Sequence, residues 1–233
     1  MHSAEPDRPH RLPRYLVNTY SWAYLRPRSI RLLDHNFVVN LILWGQSRQL
    51  IGAVVNRLQP NTRVLQAACV YGDFSKNILT RIGALGALQV IDVAPIQLAN
   101  LRAKLQGQTN VTFHLEDLTH PVIGSFNRDS CDAACCFFLL HEMPNELRMP
   151  ALRNLIGALK PGGKLIVTDY HRPAKWHPLR WIMALVFKFL EPYAQSLVDI
   201  SIESLLPTDA MYLLEKRLFF AGLYQMVVIT KQP

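Results

Sequence analysis

From residue 63 onward, short apolar segments alternate with segments of helical periodicity, and this order restricts the possible folds more than any other feature of the chain. The apolar segments cover residues 63–69, 87–91, 111–115, 131–138 and 164–169. Segments with helical spacing separate them, as in a parallel sheet that is covered by helices on both faces. The segment 131–138 is apolar almost throughout, which is typical of a central strand buried on both sides.

The remaining sequence predicts additions before and after this core, which we place at residues 59–170. Residues 15–58 are helical and aromatic and predict a cap, whereas residues 1–14 predict a loose tail. Residues 171–207 form an amphipathic insertion, and residues 208–233 predict an antiparallel terminal hairpin. We therefore predict a single domain of the α/β class, with a Rossmann-like, mostly parallel seven-stranded sheet.

The charge of the chain restricts its partners. Basic residues outnumber acidic ones in the 233 residues, and the formal net charge is +8, which predicts attraction to an anionic surface. No helix-turn-helix, zinc-finger or RNP-like pattern accompanies the charge, so we expect no nucleic-acid partner. The first residues lack the apolar stretch of a signal peptide, and no segment reaches the roughly 18 apolar residues of a spanning helix. We expect neither feature.

The segment after the first predicted strand departs from a glycine-rich cofactor turn. Such a turn uses glycine because a Cβ would block the approach of the backbone to the cofactor or forbid its dihedral angles. Here Ala68 and Val70 stand where glycine or another small residue is expected, and only Gly72 remains. Tyr71 and Asp73 bring polar side chains instead. The segment predicts a cofactor turn with altered chemistry.

Acidic residues follow two of the predicted strands. Ligands of open α/β sheets bind beyond the carboxyl ends of the strands, so these acids are candidate ligand-binding residues. Asp92 ends the second strand and is placed to accept hydrogen bonds from ribose hydroxyls, although an Asp that starts a turn is an alternative. Asp117 and Leu118 follow the third strand and are placed to bond an adenine amino group and cover the ring. A capping or turn-forming role is the alternative for Asp117.

Residues 60–170 resemble the class I S-adenosylmethionine-dependent methyltransferases. The resemblance depends on residues 64–65 before the turn, the acid Asp92, residues 116–118, and the Pro-Gly-Gly segment at 159–165. The family usually has an acidic residue in its first strand, and Gln66 occupies that position here.

The resemblance implies S-adenosylmethionine as the cofactor. Ser75 is then a candidate for the methionine carboxylate at a helix N-terminus, with a helix cap as the alternative. The predicted cofactor-binding residues are Ala68, Tyr71, Gly72, Ser75, Asp92, Asp117 and Leu118.

A more specific resemblance covers nearly the whole chain. Residues 20–27, 34–40, 44–45 and 70–75 resemble the RquA family of methyltransferase-like enzymes of rhodoquinone biosynthesis. The resemblance implies replacement of a methoxy group on ubiquinone by an amino group, with S-adenosylmethionine as amino donor and manganese as the metal. The enzymatic alternative is a methyltransferase acting on a quinone or another small hydrophobic molecule. A catalytically silent binding protein is the alternative from another class.

Amination of a quinone needs a base that keeps the amine neutral and an acid at the quinone carbonyl. The catalytic candidates are Tyr71, Asp73 and His141. Tyr71 would contact the carbonyl or orient the amine, and Asp73 or His141 would take a proton. An aromatic lid is the alternative for Tyr71, and a polar residue satisfied at a strand end is the alternative for His141.

The manganese that the resemblance implies needs ligands. Manganese prefers carboxylate, water and some imidazole ligands. We assign it to Asp73, His141 and Glu142, with Asp169 or His171 as further candidates. The spacing of these residues is not diagnostic of a metal site.

Residues 175–190 combine tryptophans, basic residues and an apolar run that is too short to span a bilayer. This composition is typical of a helix that lies in the membrane interface, and a buried helix capping the site is the alternative. Because ubiquinone is a bilayer lipid, we expect a peripheral enzyme on the cytoplasmic face of the inner membrane, with ubiquinone and the membrane surface as its partners.

Overall fold

The computed structural model describes residues 12–120, 128–208 and 210–232. Most of the predicted tail lies outside the described residues, and the first helix already begins at Arg14. The division of the chain into tail, cap, core, insertion and hairpin within one domain stays a prediction.

The centre of the fold is a sheet of seven strands in the order β3-β2-β1-β4-β5-β7-β6. Strands β1 to β5 pair in parallel, and β7 pairs antiparallel with both β5 and β6. The predicted α/β fold is confirmed. The strands are β1 (Arg63–Ala67), β2 (Ala87–Asp92), β3 (Val111–Leu115), β4 (Cys131–Phe137), β5 (Leu159–Tyr170), β6 (Tyr212–Phe219) and β7 (Tyr224–Lys231).

Helices cover this sheet because each places an apolar row on it. Helix α6 buries Phe74, Ile78 and Ile82, which lie four residues apart and therefore share one side of the helix. Pro95 stands in the first turn of the next helix, where its missing N–H needs no partner. The helices between the strands are α6 (Phe74–Ile82), α7 (Pro95–Lys104) and α8 (Asn145–Ala158).

Strand β5 begins earlier than the sequence predicts. The sequence predicts this strand at residues 164–169, after the Pro-Gly-Gly segment. Instead the strand starts at Leu159 and contains a bulge, because Leu159 pairs with Cys131 and Lys164 pairs with Ala133. Gly162 takes a φ of +77° in this bulge, which explains a glycine there.

Five short helices precede the sheet, in agreement with the helical character predicted for residues 15–58. They pack near the carboxyl ends of the parallel strands, since Leu16 and Tyr20 form a buried cluster with Ala94, just after β2. The helices are α1 (Arg14–Thr19), α2 (Ser21–Tyr24), α3 (Pro27–Leu33), α4 (Asn36–Ile42) and α5 (Ser47–Val55).

The insertion between β5 and β6 is also helical. It contains α9 (Arg180–Phe189) and α10 (Ala194–Val198), followed by a 3₁₀ turn at Ile202–Leu205. Helix α9 occupies most of the segment predicted to be interfacial. In the three described ranges of the chain, no helix is both long enough and apolar enough to cross a bilayer.

Candidate active site

A cavity of about 190 Å³ lies at the carboxyl ends of the parallel strands. The turns after β1 to β4 form one part of its wall, as the topology of an open α/β sheet predicts. Helices α1, α2 and α4 contribute Tyr15, Tyr24 and Val39 to the opposite part. The insertion contributes Glu191.

Internal hydrogen bonds of the protein hold the turn after β1. Gln66 is fully buried, its amide donates to the carbonyl of Ala68 at 2.8 Å, and its Oε1 accepts from Ser75 Oγ at 2.8 Å. Ala68 lines the cavity with a φ of 65°, the left-handed conformation that glycine adopts most easily. Ser75 is buried and bonded to Gln66, not part of the cavity lining, which differs from its predicted contact with the methionine carboxylate.

Tyr71 faces the cavity with its ring but not with a free hydroxyl. The hydroxyl donates to the carbonyl of Ala23 at 2.9 Å and accepts from Gln97 Nε2 at 2.8 Å. The ring stacks on Tyr24, with centroids 5.6 Å apart. The predicted catalytic hydroxyl is therefore engaged in joining helix α2 to the turn, and the arrangement corresponds to the aromatic-lid alternative.

Gly72 bonds to the N-terminal helical region instead of lining the cavity. Its N–H donates to Asp34 Oδ1 at 2.8 Å, and its carbonyl accepts from Lys104 Nζ at 2.8 Å. Lys104 also forms an ion pair with Asp34. A Cβ at Gly72 would lie 2.9 Å from Asn36 Oδ1, so the glycine permits this close approach.

Asp73 likewise lies outside the cavity lining. Its carboxylate accepts a hydrogen bond from Asn36 Nδ2 and lies 3.3 Å from Lys76 Nζ. Partial burial raises the pKa of Asp73, but the hydrogen bonds from Asn36 and Lys76 outweigh it, and the net pKa is lowered. The structure thus corrects the catalytic and metal roles predicted for Asp73, because Asn36 and Lys76 hold its carboxylate away from the cavity.

Asp92 lies in the cavity wall, as predicted. Its Oδ2 accepts from the Cys69 N–H at 2.7 Å and its Oδ1 from the Ala94 N–H at 2.7 Å, so the carboxylate also joins the turns after β1 and β2. Each carboxylate oxygen can accept a second hydrogen bond. Burial raises the pKa of Asp92, and the backbone hydrogen bonds oppose this shift. The contact of Asp92 with ribose hydroxyls stays a prediction.

Asp117 and Leu118 line the cavity beside Asp92. Oδ1 of Asp117 accepts from the Thr119 N–H at 2.8 Å and from Thr119 Oγ1 at 2.7 Å, which is the turn-forming alternative. The second oxygen lies 3.2 Å from Nδ1 of His120. Leu118 is buried and presents an apolar surface that fits one face of an adenine ring.

His141 stands in a 3₁₀ turn, Leu140–Glu142, directly after β4. Its Nδ1 lies 2.8 Å from Oδ1 of the fully buried Asp169, so this nitrogen carries a proton. The other nitrogen, Nε2, lies 3.2 Å from Glu191 Oε2 and 3.8 Å from Glu142 Oε1. Glu142 in turn accepts a hydrogen bond from Tyr24. We call His141, Glu142 and Glu191 the proton cluster.

Burial and mutual attraction shift the pKa values of the proton cluster. Burial lowers the pKa of His141, but Asp169 and Glu191 outweigh it and raise the pKa to about 10. Burial raises the pKa of Glu142 to about 8, against the opposing effect of His141. Burial also raises the pKa of Glu191. All three groups of the proton cluster therefore have pKa values above their ordinary ones and keep their protons to a higher pH.

Glu191 is a candidate site residue that the sequence interpretation missed. It is the only acidic residue between Asp169 and Asp199, and it follows an apolar helix, which is the available signal. The buried Arg148 holds its segment in place, because the guanidinium donates to the carbonyls of Leu140 at 2.9 Å and Tyr193 at 2.7 Å. Arg148 thus joins the turn that carries His141 to the insertion.

The predicted manganese ligands are not brought together. His141 and Glu142 line the cavity, whereas Asp73 does not. Within residues 12–120, 128–208 and 210–232, no group of three or more His, Cys, Asp or Glu side chains has an arrangement that could hold a metal ion. The assigned set of Asp73, His141 and Glu142 therefore does not fit a metal site.

Residues 64–163 match the protein family described as "Methyltransferase domain". This part of the chain is therefore similar to methyltransferase domains, and a solved methyltransferase from Aquifex aeolicus shares its fold with a TM-score of 0.57. An uncharacterized methyltransferase of Synechocystis sp. is 26% identical over 211 residues, which are 89% of this chain and 93% of that protein. A carboxy-S-adenosyl-L-methionine synthase of Psychrobacter sp. is 24% identical over 170 residues, 69% of this chain and 61% of that protein.

Solved structures of other proteins have a similar fold over most of the chain. The N-methyltransferase NodS from Bradyrhizobium japonicum, in complex with S-adenosyl-L-homocysteine, has a TM-score of 0.56 and 15% identity. The similarity covers 89% of this chain and 93% of NodS. The cavity of this chain lies at the carboxyl ends of the parallel strands, where open α/β sheets bind their ligands.

Proposed function

We propose that this methyltransferase-fold protein converts ubiquinone to rhodoquinone by replacing a ring methoxy group with an amino group. The observation that carries the proposal is the proton cluster, which lies in the same cavity as Asp92, Asp117 and Leu118, three of the predicted S-adenosylmethionine-binding residues. The resemblance to the RquA family supplies the substrate.

The cofactor end of the cavity suits S-adenosylmethionine. Asp92 has acceptor capacity left for ribose hydroxyls, and Leu118 offers an apolar contact for adenine. In the proposed reaction, bound S-adenosylmethionine supplies the amino group. The turn at Ala68 would let the backbone approach the cofactor, because it already has the left-handed conformation of a glycine.

The other end suits an apolar ring. Val39, Ile42 and Leu43 line the cavity beside Tyr24 and Phe138. These aliphatic and aromatic side chains can pack on both faces of a flat quinone. A planar apolar substrate with few polar groups fits this wall better than a charged one does.

The proton cluster suits the proton transfers of the reaction. An amine that attacks the ring carbon must lose a proton, and the departing methoxide must gain one to leave as methanol. The bond between the donated nitrogen and the α-carbon of the methionine part must then break, and loss of a proton from the β-carbon of the donor with protonation of the nitrogen would balance this cleavage. Glu191 or Glu142 would accept the first proton in its ionised form, and the imidazolium of His141 would stabilise negative charge on the quinone oxygen. Asp169 would keep the His141 ring in its orientation throughout.

A second candidate function is methyl transfer to a quinone or another small hydrophobic molecule. The match to the methyltransferase domain family favours it. However, one relative of the chain is named a carboxy-S-adenosyl-L-methionine synthase. Similarity to this group of proteins therefore does not by itself indicate methyl transfer. Isotope labelling of the cofactor separates the two candidates.

The test incubates the purified chain with ubiquinone and S-adenosylmethionine labelled either with heavy nitrogen on the amino group or with deuterium on the methyl group. Mass spectrometry of the quinones identifies the transferred group. Heavy nitrogen in a product without its methoxy group supports amination, whereas deuterium in the product supports methyl transfer. An unlabelled quinone pool would contradict both.

The requirement for manganese stays a prediction from the resemblance. Parallel incubations with a chelator and with added Mn²⁺ test it, and equal product formation in both would contradict it. The His141→Gln variant provides a control for background chemistry. Expression of the chain in a host that makes ubiquinone but no rhodoquinone tests the same function in the cell.

A further inference from the structure

Helix α9 leaves most of its large apolar side chains in solvent. Only Met183 and Phe187 are buried in this helix. Trp181, Leu185 and Phe189 are 77%, 58% and 69% exposed. They lie four residues apart and therefore form one row along the outward side of the helix. We call this row, together with the 76% exposed Trp176 before the helix, the α9 face. An apolar surface of this kind marks an interaction site.

The segment that carries the α9 face has charged side chains of one sign, and one of them, Arg172, is paired with Asp199. Residues 171–190 contain four Lys and Arg residues and no Asp or Glu. The guanidinium of Arg180 lies 5.7 Å from the ring centre of Trp181, and the ammonium of Lys188 lies 5.4 Å from that of Phe189. The cations therefore flank the apolar row directly. This combination of apolar row and adjoining cations matches the boundary between acyl chains and anionic headgroups.

We propose that the α9 face binds the surface of an anionic lipid bilayer, with the helix axis lying along the membrane plane. A helix of 10 residues is about 15 Å long, half of the roughly 30 Å hydrocarbon thickness, so it suits the interface and not a crossing. Each basic residue near an anionic membrane strengthens binding by electrostatic attraction.

A second copy of the chain fits the α9 face less well. In a two-fold symmetric contact, the same surface patch lies on both partners. The α9 face would then bring Arg180 and Lys188 close to their own counterparts without an acidic side chain from residues 171–190 to compensate them. Like charges placed together weaken such a contact. An anionic bilayer has the opposite charge.

Two aromatic contacts connect the inward side of α9 to the cavity. Phe187 packs on Tyr170 with ring centroids 5.0 Å apart, and Tyr170 packs on His141 at 4.8 Å. Tyr170 lines the cavity. The bilayer would thus lie one helix away from the site, as a lipid quinone requires, a consequence that rests on the proposed function. Lipid binding itself does not depend on that function.

The test is flotation of the full chain with vesicles of phosphatidylcholine alone or of phosphatidylcholine with phosphatidylglycerol. We expect the chain to float with the anionic vesicles and much less with the neutral ones. The double variant Trp181→Ser/Phe189→Ser should lower the bound fraction at least tenfold, because it removes two exposed rings. Lys188→Gln should lower the partition coefficient about fivefold.

The matched control is Leu85→Ser, which removes an 83% exposed apolar side chain before β2. This variant should float like the wild type, and circular dichroism should show that every variant is folded. Failure of the wild type to float, or equal flotation of the double variant, would overturn the proposal. A dimer in sedimentation that the double variant dissociates, with flotation unchanged, would assign the α9 face to self-association. Flotation does not measure turnover, so its outcome is separate from that of the labelling experiment.

Discussion

Two polar segments that follow parallel strands behave differently in this molecule. After β1, the side chains of Gln66 and Ser75 bond to each other, and the hydroxyl of Tyr71 bonds to Ala23 and Gln97. After β4, His141 and Glu142 face the cavity with Glu191. The first segment joins the N-terminal helices to the sheet, whereas the second presents titratable groups to a ligand.

The difference shows that the position of a side chain in a family motif does not determine whether it contacts the cavity or other parts of the protein. The Tyr71 hydroxyl and the Ser75 hydroxyl make hydrogen bonds that join parts of the fold, and neither is needed to explain a group in the cavity. Buried carboxyl groups that share a cavity have shifted pKa values, which is characteristic of functional sites. The side chains of the altered glycine turn thus mainly join parts of the fold, and the candidate catalytic groups that line the cavity lie beyond β4.

The strongest test of this comparison is His141→Gln. Because the imidazole would stabilise charge and transfer protons, we expect product formation to fall about 100-fold or more. The matched control is His171→Gln, since His171 lies just after β5 and bonds to the carbonyl of Gly222 outside the cavity. It should retain turnover within about threefold. Product formation is measured by quinone mass spectrometry. Equal losses in both variants would contradict a specific role for the segment after β4.

The pH dependence of stability is the next test. The pKa of His141 is raised from 6.5 to about 10, so its stabilising contribution is fully present below pH 6.5 and is lost as the pH rises toward 10. The raised pKa of Glu142 has the same sign, with its loss between 4.5 and about 8. We expect the melting temperature to fall by about 5 °C or more between neutral pH and about pH 10.

Above about pH 8 the decline should belong mainly to His141, because Glu142 has then lost its proton. Thermal unfolding of His141→Gln should therefore show a flatter curve in that range. A wild-type melting temperature that rises with pH would show that the proton cluster is not protonated as described.

Tyr71→Phe tests the other segment. Loss of the hydrogen bonds to Ala23 and Gln97 should lower the free energy of unfolding by about 1 kcal/mol, with turnover within about threefold of the wild type. Urea unfolding and the labelled-cofactor assay measure the two quantities. A large loss of turnover in a stable variant would show that the Tyr71 hydroxyl takes part in the reaction.

The smallest effect is expected for Ala68→Gly. Removing the Cβ relieves about 1–2 kcal/mol of left-handed strain at a φ of 65°, whereas glycine costs about 0.5–1 kcal/mol in chain entropy. We expect a net stabilisation of about 0.5 kcal/mol. The matched control Ala67→Gly, in β1, has no such strain to relieve and should be destabilised. Stabilisation of both variants in urea would contradict the strain at Ala68.

The sequence predicts the sheet well because local periodicity determines it. The predicted strand ends lie within about two residues of the observed ones, except at the start of β5, where a Pro-Gly-Gly pattern typical of a turn forms a bulge. Strand ends also predict where Asp92, Leu118 and His141 lie, because the topology brings all carboxyl ends to one edge.

The sequence does not predict which way the side chains of the turn after β1 point. Tyr71 finds its partner Ala23 at a separation of 48 residues, and Gly72 finds Asp34 at 38. Such contacts depend on how the N-terminal helices pack, which no local pattern encodes. Glu191 was missed for the same reason, since its insertion folds back onto His141 from 50 positions away along the chain.

The buried Arg148 has a consequence for how the site assembles. It is fully buried, and its guanidinium is satisfied by the carbonyls of Leu140 and Tyr193 and by neutral side chains, with no carboxylate among these partners. A buried cation without its acceptors is very unfavourable. The turn with His141 and the insertion with Glu191 must therefore become ordered together. If the insertion opened alone, the buried guanidinium of Arg148 would lose part of its hydrogen-bond acceptors. Amide hydrogen exchange should therefore give the same opening free energy for the turn and for the insertion.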